Sequence, residues 1–400
     1  MPMRSLLPAL AAGAILLALP AAAGDLAQRL DAAIDKAVAE RRIVGTVVLV
    51  ARDGALVYRR AAGLADREAG VPMREDTIFR LASVSKPLVS AAVMTLVEEG
   101  RLRLDEPVTG FLPDFRPQLA DGRAPAITIG HLLSHAAGLS YGFFEPEDSR
   151  YKTLAVSDGL DIVPGLTLDA NLRRLSRTTL AFPPGTGWRY SLSIDVLGAV
   201  IEKVTGQALA EAVAKRVTGP LGLEDTGFAV TDPARLGAAY ADGRPAPSRM
   251  TDNELVPFAG NAVRFAPGRA LDPTAYPSGG AGMVGTAGDV LRFLEAIRTG
   301  GGPILKPETV EMMMADQVGA QAQTQGPGWG FGFGWAVLDD PAPTKTPQAA
   351  GTIQWGGAYG HSWFVDPASR LTVVALTNTA FEGMSGAYTI EIRDAVYGPR

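Results

Sequence analysis

The sequence predicts an α+β fold: an antiparallel sheet built from both termini, flanked by helices, plus a mainly helical lobe. Two observations carry this expectation. Apolar runs bounded by turn residues cluster at residues 44–62 and 332–377. Between them, helical patterns and long loops dominate, so the two ends must pair with each other. The division expected is an α/β lobe of about 24–82 and 290–400 and a helical lobe of about 83–289.

Residues 25–42 form an amphipathic helix, with Leu26, Leu30, Ile34 and Val38 returning every four positions. The runs 44–52 and 56–62 flank Asp53-Gly54, a hairpin signal. A helix follows from near Ser83 to Glu99. Val89, Ala92, Val93, Leu96 and Val97 share its inner face, and Gly100 stands where a C-cap belongs. Residues 128–135 make a short helix closed by Gly138. Residues 194–204 make another, with Leu197, Val200, Ile201 and Val204 in phase, and 289–297 repeats the pattern. Strands are expected at 332–338, 352–354, 362–365 and 371–377, with Asp366-Pro367 beginning the last turn. The Gly/aromatic run 328–335 reads as a strand with close backbone approaches, and the Pro-rich stretch 339–350 as a surface loop. Residues 387–396 close the chain as a helix, and no internal repeat is found.

Composition removes whole classes of chemistry. The 400-residue chain is 47% hydrophobic and 20% charged, a globular balance with ample material for a core. It has no cysteine, which excludes disulfides, thiolate nucleophiles, iron–sulfur clusters and cysteine-bound zinc. His131, His135 and His361 show no metal-binding spacing and no HExxH, so neither a metal nor a cofactor is expected. The net charge of −5 without a basic run argues against nucleic acid or anionic membrane as partner. Residues 1–23 read as a secretory signal peptide: Arg4 supplies the positive start, 6–19 is apolar, and Ala21-Ala22-Ala23 offers a cleavage site. The apolar run is too short and Pro-broken to span a membrane, which takes about 20 residues. The expectation is an exported protein, periplasmic or secreted, without a stable membrane anchor.

Two serines compete as nucleophile. Ser83-Val84-Ser85-Lys86 is an S-x-x-K at the start of an apolar helix. At that spacing the lysine amine reaches the hydroxyl. The helix start adds N–H groups near a developing oxyanion, and a desolvated lysine can accept the serine proton. A second S-x-x-K, Ser149-Arg150-Tyr151-Lys152, lies in a polar stretch with no apolar helix to hold it. Gly138-Leu139-Ser140-Tyr141-Gly142 matches the G-x-S-x-G elbow, but Ser140 follows a helix where the elbow needs a strand.

Three ordered segments carry a family resemblance: Ser83-Val84-Ser85-Lys86, then Pro184-Gly185-Thr186-Gly187-Trp188-Arg189-Tyr190-Ser191, then Trp355-Gly356-Gly357-Ala358-Tyr359-Gly360. Together they resemble the serine β-lactamase and penicillin-binding-protein-like superfamily, most closely its family VIII carboxylesterases and class C β-lactamase-like relatives. Residues 127–139 and 277–293 also look like that family, so the likeness covers most of the chain. It implies a β-lactamase/transpeptidase-like fold. It also implies Ser83 as acylated nucleophile, Lys86 as its proton partner, and Tyr190 as a second acid/base whose phenol Lys86 keeps partly ionised. The N–H groups of Ser83 and Ala358 would form the oxyanion hole, and Trp355, Gly356 and Gly357 would line the substrate site. Lysine and tyrosine would shuttle protons as a Lys⁺/Tyr⁻ or a neutral pair, without histidine.

Two departures bear on substrate. The β-lactamase pattern places Asn two residues after the tyrosine, where this chain has Leu192, and Lys-Thr-Gly where it has Trp355-Gly356-Gly357. Exchanging a cation for indole removes a charge-assisted contact worth about 1.5–3 kcal/mol. The Trp-Gly-Gly form is that of the esterase branch. The expectation is therefore a serine carboxylesterase acting on a small-molecule ester, with short acyl groups. A β-lactamase or promiscuous cephalosporin hydrolase, an acyltransferase and a non-catalytic peptidoglycan-binding protein are the alternatives. His135 and His361 are read as structural, and nothing in the sequence fixes the oligomeric state.

Overall fold

A computed structural model describes residues 21–319 and 322–399. Most of the expected leader, residues 1–20, lies outside them. The first helix, α1 (Ala21–Ala39), leads into the hairpin β1 (Gly45–Arg52) and β2 (Ala55–Asp66). Its turn is Asp53-Gly54, with φ of 55° and 81°. Two positive φ angles in succession match the right-handed twist of the flanking strands. β3 (Val71–Pro72) pairs with β2 and ends the sheet on that side.

The middle of the chain holds short strands as well as helices. β4 (Phe79–Arg80) pairs with β9 (Val284–Gly285), β5 (Tyr240–Ala241) with β6 (Ser248–Arg249), and β7 (Glu254–Phe258) with β8 (Asn261–Phe265). These small two-stranded sheets were not expected from the sequence, because pairs this short leave little periodicity to read. The helices are α2 (Ser85–Glu98), α3 (Ile129–Leu133), α4 (Arg150–Thr153), α5 (Leu168–Leu175), α6 (Ser193–Thr205), α7 (Leu209–Val213) and α8 (Ala287–Arg298). α9 (Pro307–Met314) then leads to β10 (Trp329–Phe331), β11 (Ala336–Leu338), β12 (Ile353–Gly357), β13 (His361–Asp366) and β14 (Leu371–Thr377). α10 (Glu382–Ser385) and α11 (Ala387–Tyr397) complete the described chain.

The large sheet runs β10-β11-β12-β13-β14-β1-β2-β3, antiparallel throughout. The expected closure of the two termini is the β1–β14 ladder, in which Val47 faces Leu376 and Val48 faces Ala375. Side chains alternate across it. Val48, Val50, Val373 and Ala375 pack with Leu30 and Ile34 of α1 and Ile392 of α11. Val47, Leu49, Val374 and Leu376 face the main core with α2 and α8. Both faces are covered, so β1 and β14 are apolar at nearly every position.

Three boundaries differ from expectation. The segment 332–338 is not one strand: Gly332 N–H donates to the Trp335 carbonyl, and Gly334 at φ 110° turns the chain between β10 and β11. A Cβ on Gly334 would lie 3.0 Å from Ser90 Oγ, so the close approach is real but belongs to a hairpin. The helix at 129–133 ends before Gly138, because His135 takes the left-handed conformation at φ 56°. Ser83 precedes α2 in a single 3₁₀ turn over Ala82–Val84. Pro87 then sits in the first turn of α2, where a missing N–H costs nothing.

The β1–β14 ladder fixes the sheet, so truncating it has a definite cost. Leu376→Ala, at a site with no exposed surface, is expected to lower unfolding free energy by about 2–5 kcal/mol in urea titrations. The kcat of the folded fraction should stay within about twofold of wild type.

Candidate active site

Ser83 is delivered by strain and close packing. Ala82 before it has φ 45°, a left-handed conformation unfavourable for a residue with a Cβ. The surroundings hold it there: Ala82 is fully buried, and the Leu81 carbonyl lies where a side chain on Gly357 would fall, 2.3 Å from its Cβ. Gly357 therefore lets β12 press against the turn that carries Ser83. Trp355, Gly356 and Ala358 line the cleft, whereas Gly357 packs against the Leu81 carbonyl.

Lys86, on the first turn of α2, has no exposed surface. Its Nζ lies 3.2 Å from Ser83 Oγ and donates to the Gly280 carbonyl at 2.8 Å. The amine lies 4.5 Å from the centroid of the Tyr190 ring. Burial pulls its ammonium down to about 7, against the pull of the Asp195 carboxylate. An amine brought down to about 7 has a substantial neutral fraction near neutral pH, the state in which it can accept a proton.

Tyr190 reaches the site from the loop before α6. That loop is pinned from below: Arg189 N–H donates to the His135 carbonyl at 3.0 Å, and Ser191 N–H donates to His135 Nδ1 at 3.2 Å. The left-handed turn at His135 makes both contacts possible. The Tyr190 hydroxyl receives the Trp355 indole N–H at 3.3 Å. Burial raises the phenol well above its ordinary value, and hydrogen bonding with Ser83, Trp355 and Tyr141 only partly offsets this. Of the two pairings that the resemblance allows, Lys⁺/Tyr⁻ or a neutral pair, the effect of burial on Tyr190 favours the neutral one. Desolvation penalises the phenolate, and the same cause brings Lys86 down to about 7.

The rival serines have other work. Ser149 accepts the Lys152 N–H as N-cap of α4. Ser140 is buried and its Oγ accepts from Arg189 Nε at 2.9 Å. The histidines are structural as well. His131 makes a capping box with Thr128, and His361 Nε2 lies 2.8 Å from the Arg80 carbonyl oxygen. Among the described residues no group of His, Asp and Glu has metal-site geometry.

Sequence reasoning missed Tyr141, Asp195, Ser278 and Gly280. Tyr141 stands in the cleft wall, its ring 5.2 Å from both Lys86 Nζ and the Tyr190 ring centre. Asp195 is a buried acid on the apolar side of α6, beside Ile194, Val196 and Leu197. A carboxylate in such company is the signal that could have found it. The cleft itself has a volume of about 910 Å³, with Phe143, Trp188, Phe258 and Trp329 on its walls. Its two arginines, Arg189 and Arg393, are paired with Glu145 and Asp394.

The beta-lactamase family profile matches residues 30–397. The chain belongs to the beta-lactamase family. It is 59% identical over 379 residues to Esterase EstB of Burkholderia gladioli, covering 94% of this chain and 96% of that protein. Within the family, this places it where the Trp-Gly-Gly motif pointed, beside the carboxylesterases. The solved structure of EstCE1, a hydrolase with promiscuous acyltransferase activity, superposes with a TM-score of 0.92 at 52% identity, covering 94% of this chain and all of that one. The simvastatin synthase LovD of Aspergillus terreus shares the beta-lactamase fold at a TM-score of 0.74 and 23% identity.

The buried amine gives a pH dependence with a definite sign. A base works only when unprotonated, so kcat/KM on a neutral ester should fall as pH drops through about 7. Lys86→Ala should lower kcat by about 10²–10⁴-fold in steady-state assays, removing that limb along with the activity.

Proposed function

We propose that this protein, a serine carboxylesterase of the β-lactamase fold, cleaves neutral carboxylic esters with short acyl groups through a Ser83 acyl-enzyme. The observation that carries the reading is the contact of Lys86 Nζ, fully buried, with Ser83 Oγ at 3.2 Å. Lys86 takes the hydroxyl proton as Oγ attacks the ester carbonyl. The N–H groups of Ser83 and Ala358, both on the cleft wall, receive the oxyanion. Tyr190, held protonated by burial, hands its proton to the departing alkoxide and recovers one from Lys86. Water then enters on the Tyr190 side and releases the acid, reversing the same proton transfers.

A neutral ester fits the walls. Both cleft arginines are already paired, and Trp355 donates to Tyr190 from the position where β-lactamases carry a cation. A carboxylate-bearing β-lactam or peptidoglycan stem would find no charge-assisted contact on that strand. Acyl transfer is a second reading. The aromatic lining disfavours water relative to an apolar alcohol, and EstCE1 is described as a promiscuous acyltransferase. Export with cleavage near residue 23 belongs to the same proposal, supported by Arg4 and the apolar stretch behind it.

On the mature protein, kcat/KM for p-nitrophenyl acetate should exceed that for a chromogenic cephalosporin by at least about a hundredfold. Ser83→Ala should abolish the ester rate; a variant that kept it would discard this nucleophile. A dominant cephalosporin rate would overturn the substrate reading. In cell fractionation, the protein should leave the cytosol and begin after residue 23 by N-terminal sequencing.

A further inference from the structure

When Lys86 accepts the serine proton, it becomes a cation in a place without water. Such a charge needs a partner within the protein. The carboxylate whose field acts on Lys86 belongs to Asp195, which makes no direct ion pair with it. Asp195, on α6 just after Tyr190, is 1% exposed. Its Oδ1 accepts the Ser278 hydroxyl proton at 2.6 Å; its buried Oδ2 has no partner of full hydrogen-bond geometry, and the Gly280 N–H leans on the carboxylate. That oxygen faces Gly280. A Cβ there would lie 2.5 Å from Asp195 Oδ2, 3.0 Å from the Tyr141 hydroxyl and 3.5 Å from Lys86 Nζ. The Gly280 carbonyl is also the second acceptor of the Lys86 amine, at 2.8 Å. An orphan carboxylate oxygen and the site's only amine thus converge where a glycine omits its side chain.

We propose that Asp195 is a positioning residue that acts through Lys86, its unpaired oxygen neutralising the ammonium that forms while Ser83 is acylated. The inference rests on the Ser83–Lys86–Tyr190 reading above. In the acylation step the Ser83 proton passes to Nζ as the Oγ–C bond forms. It moves on by way of the Tyr190 hydroxyl to the alkoxide as the ester C–O bond breaks. Burial pushes the Asp195 carboxyl up, while the Ser278 hydroxyl and the charges of Lys86 and Arg269 pull it down; as a carboxylate it holds the amine strong enough as a base to take the proton.

The other groups around the pair do not duplicate this role. Tyr141, Tyr190 and Tyr276 are held protonated by burial. His135 is held neutral by burial and by the charge of Lys86. Arg269 adds positive charge on the far side of Asp195 and is anchored to the Asp161 and Tyr276 carbonyls. Asp158, beyond Tyr141, is pushed up to about 7 by burial and accepts the N–H groups of Gly142 and Phe143.

The test is the pH profile of kcat/KM for p-nitrophenyl acetate in wild type, Asp195→Asn and Ser278→Ala, with Ser83→Ala as control. Without the Asp195 charge, the Lys86 ammonium is less stable. The acid-limb midpoint should then move down by about one pH unit, and the plateau rate should fall about tenfold as the base weakens. Ser278→Ala, which removes the donor to Oδ1, should move the limb the same way by less. A folded Asp195→Asn with a lower rate and an unmoved midpoint would reduce Asp195 to a structural role and overturn the inference. Should Asp195→Asn fail to fold, the Ser278→Ala limb decides alone. Full ester turnover in Ser83→Ala would instead strike the underlying reading. An inactive Ser83→Ala beside unmoved limbs in the other variants would strike Asp195 alone.

Discussion

The active centre depends on keeping a lysine dry. Lys86 has no exposed surface and makes no ion pair among the described residues. Its hydrogen bonds go to a serine hydroxyl and a glycine carbonyl. In water the same amine would be an ammonium and useless as a base. Removing it from water costs folding energy and brings its proton affinity down toward neutrality. The rest of the centre follows from that requirement. The tyrosines at 141 and 190 and the glycine at 280 stand against the amine, and the buried start of α2 covers its stem.

Histidine, the usual proton carrier near neutral pH, is used here as a building piece. His135 turns the chain through a left-handed angle and holds the tyrosine loop on its ring and its carbonyl. His361 joins β13 to the strand that precedes the nucleophile turn. The chemistry is left to groups whose ordinary proton affinities lie far above neutrality. Desolvation moves the lysine toward neutral pH and the tyrosine away from it. One physical cause thus makes an acceptor of one side chain and a donor of the other.

Much of this was legible in the sequence, for identifiable reasons. S-x-x-K before an apolar helix has a local meaning, since residues three apart meet on one turn. The Trp-Gly-Gly segment could be placed by its order in the chain, although the strand it lies on, β12, runs past the expected end to include it. Asp53-Gly54 identified its hairpin because few residues accept two positive φ angles. What could not be read was set by distant contacts. Nothing near position 135 announces a left-handed histidine. Gly357 looked like a substrate contact until the Leu81 carbonyl was seen against it. Asp195 was hidden inside a good helical pattern, and its meaning comes only from Gly280, far along the chain.

The sheet joins the first strand of the chain to the last. β1, a central strand, has β2 on one side at once, but its other edge waits for β14, near residue 377. During synthesis that edge stays open until nearly the whole chain has been made, because no earlier segment shares its register. The catalytic turn lies between these partners in sequence, and β12, which presses on it, is also among the last strands to emerge. A chain stopped short of β14 would carry Ser83, Lys86 and Tyr190 and still lack the strand that completes the sheet beside β1.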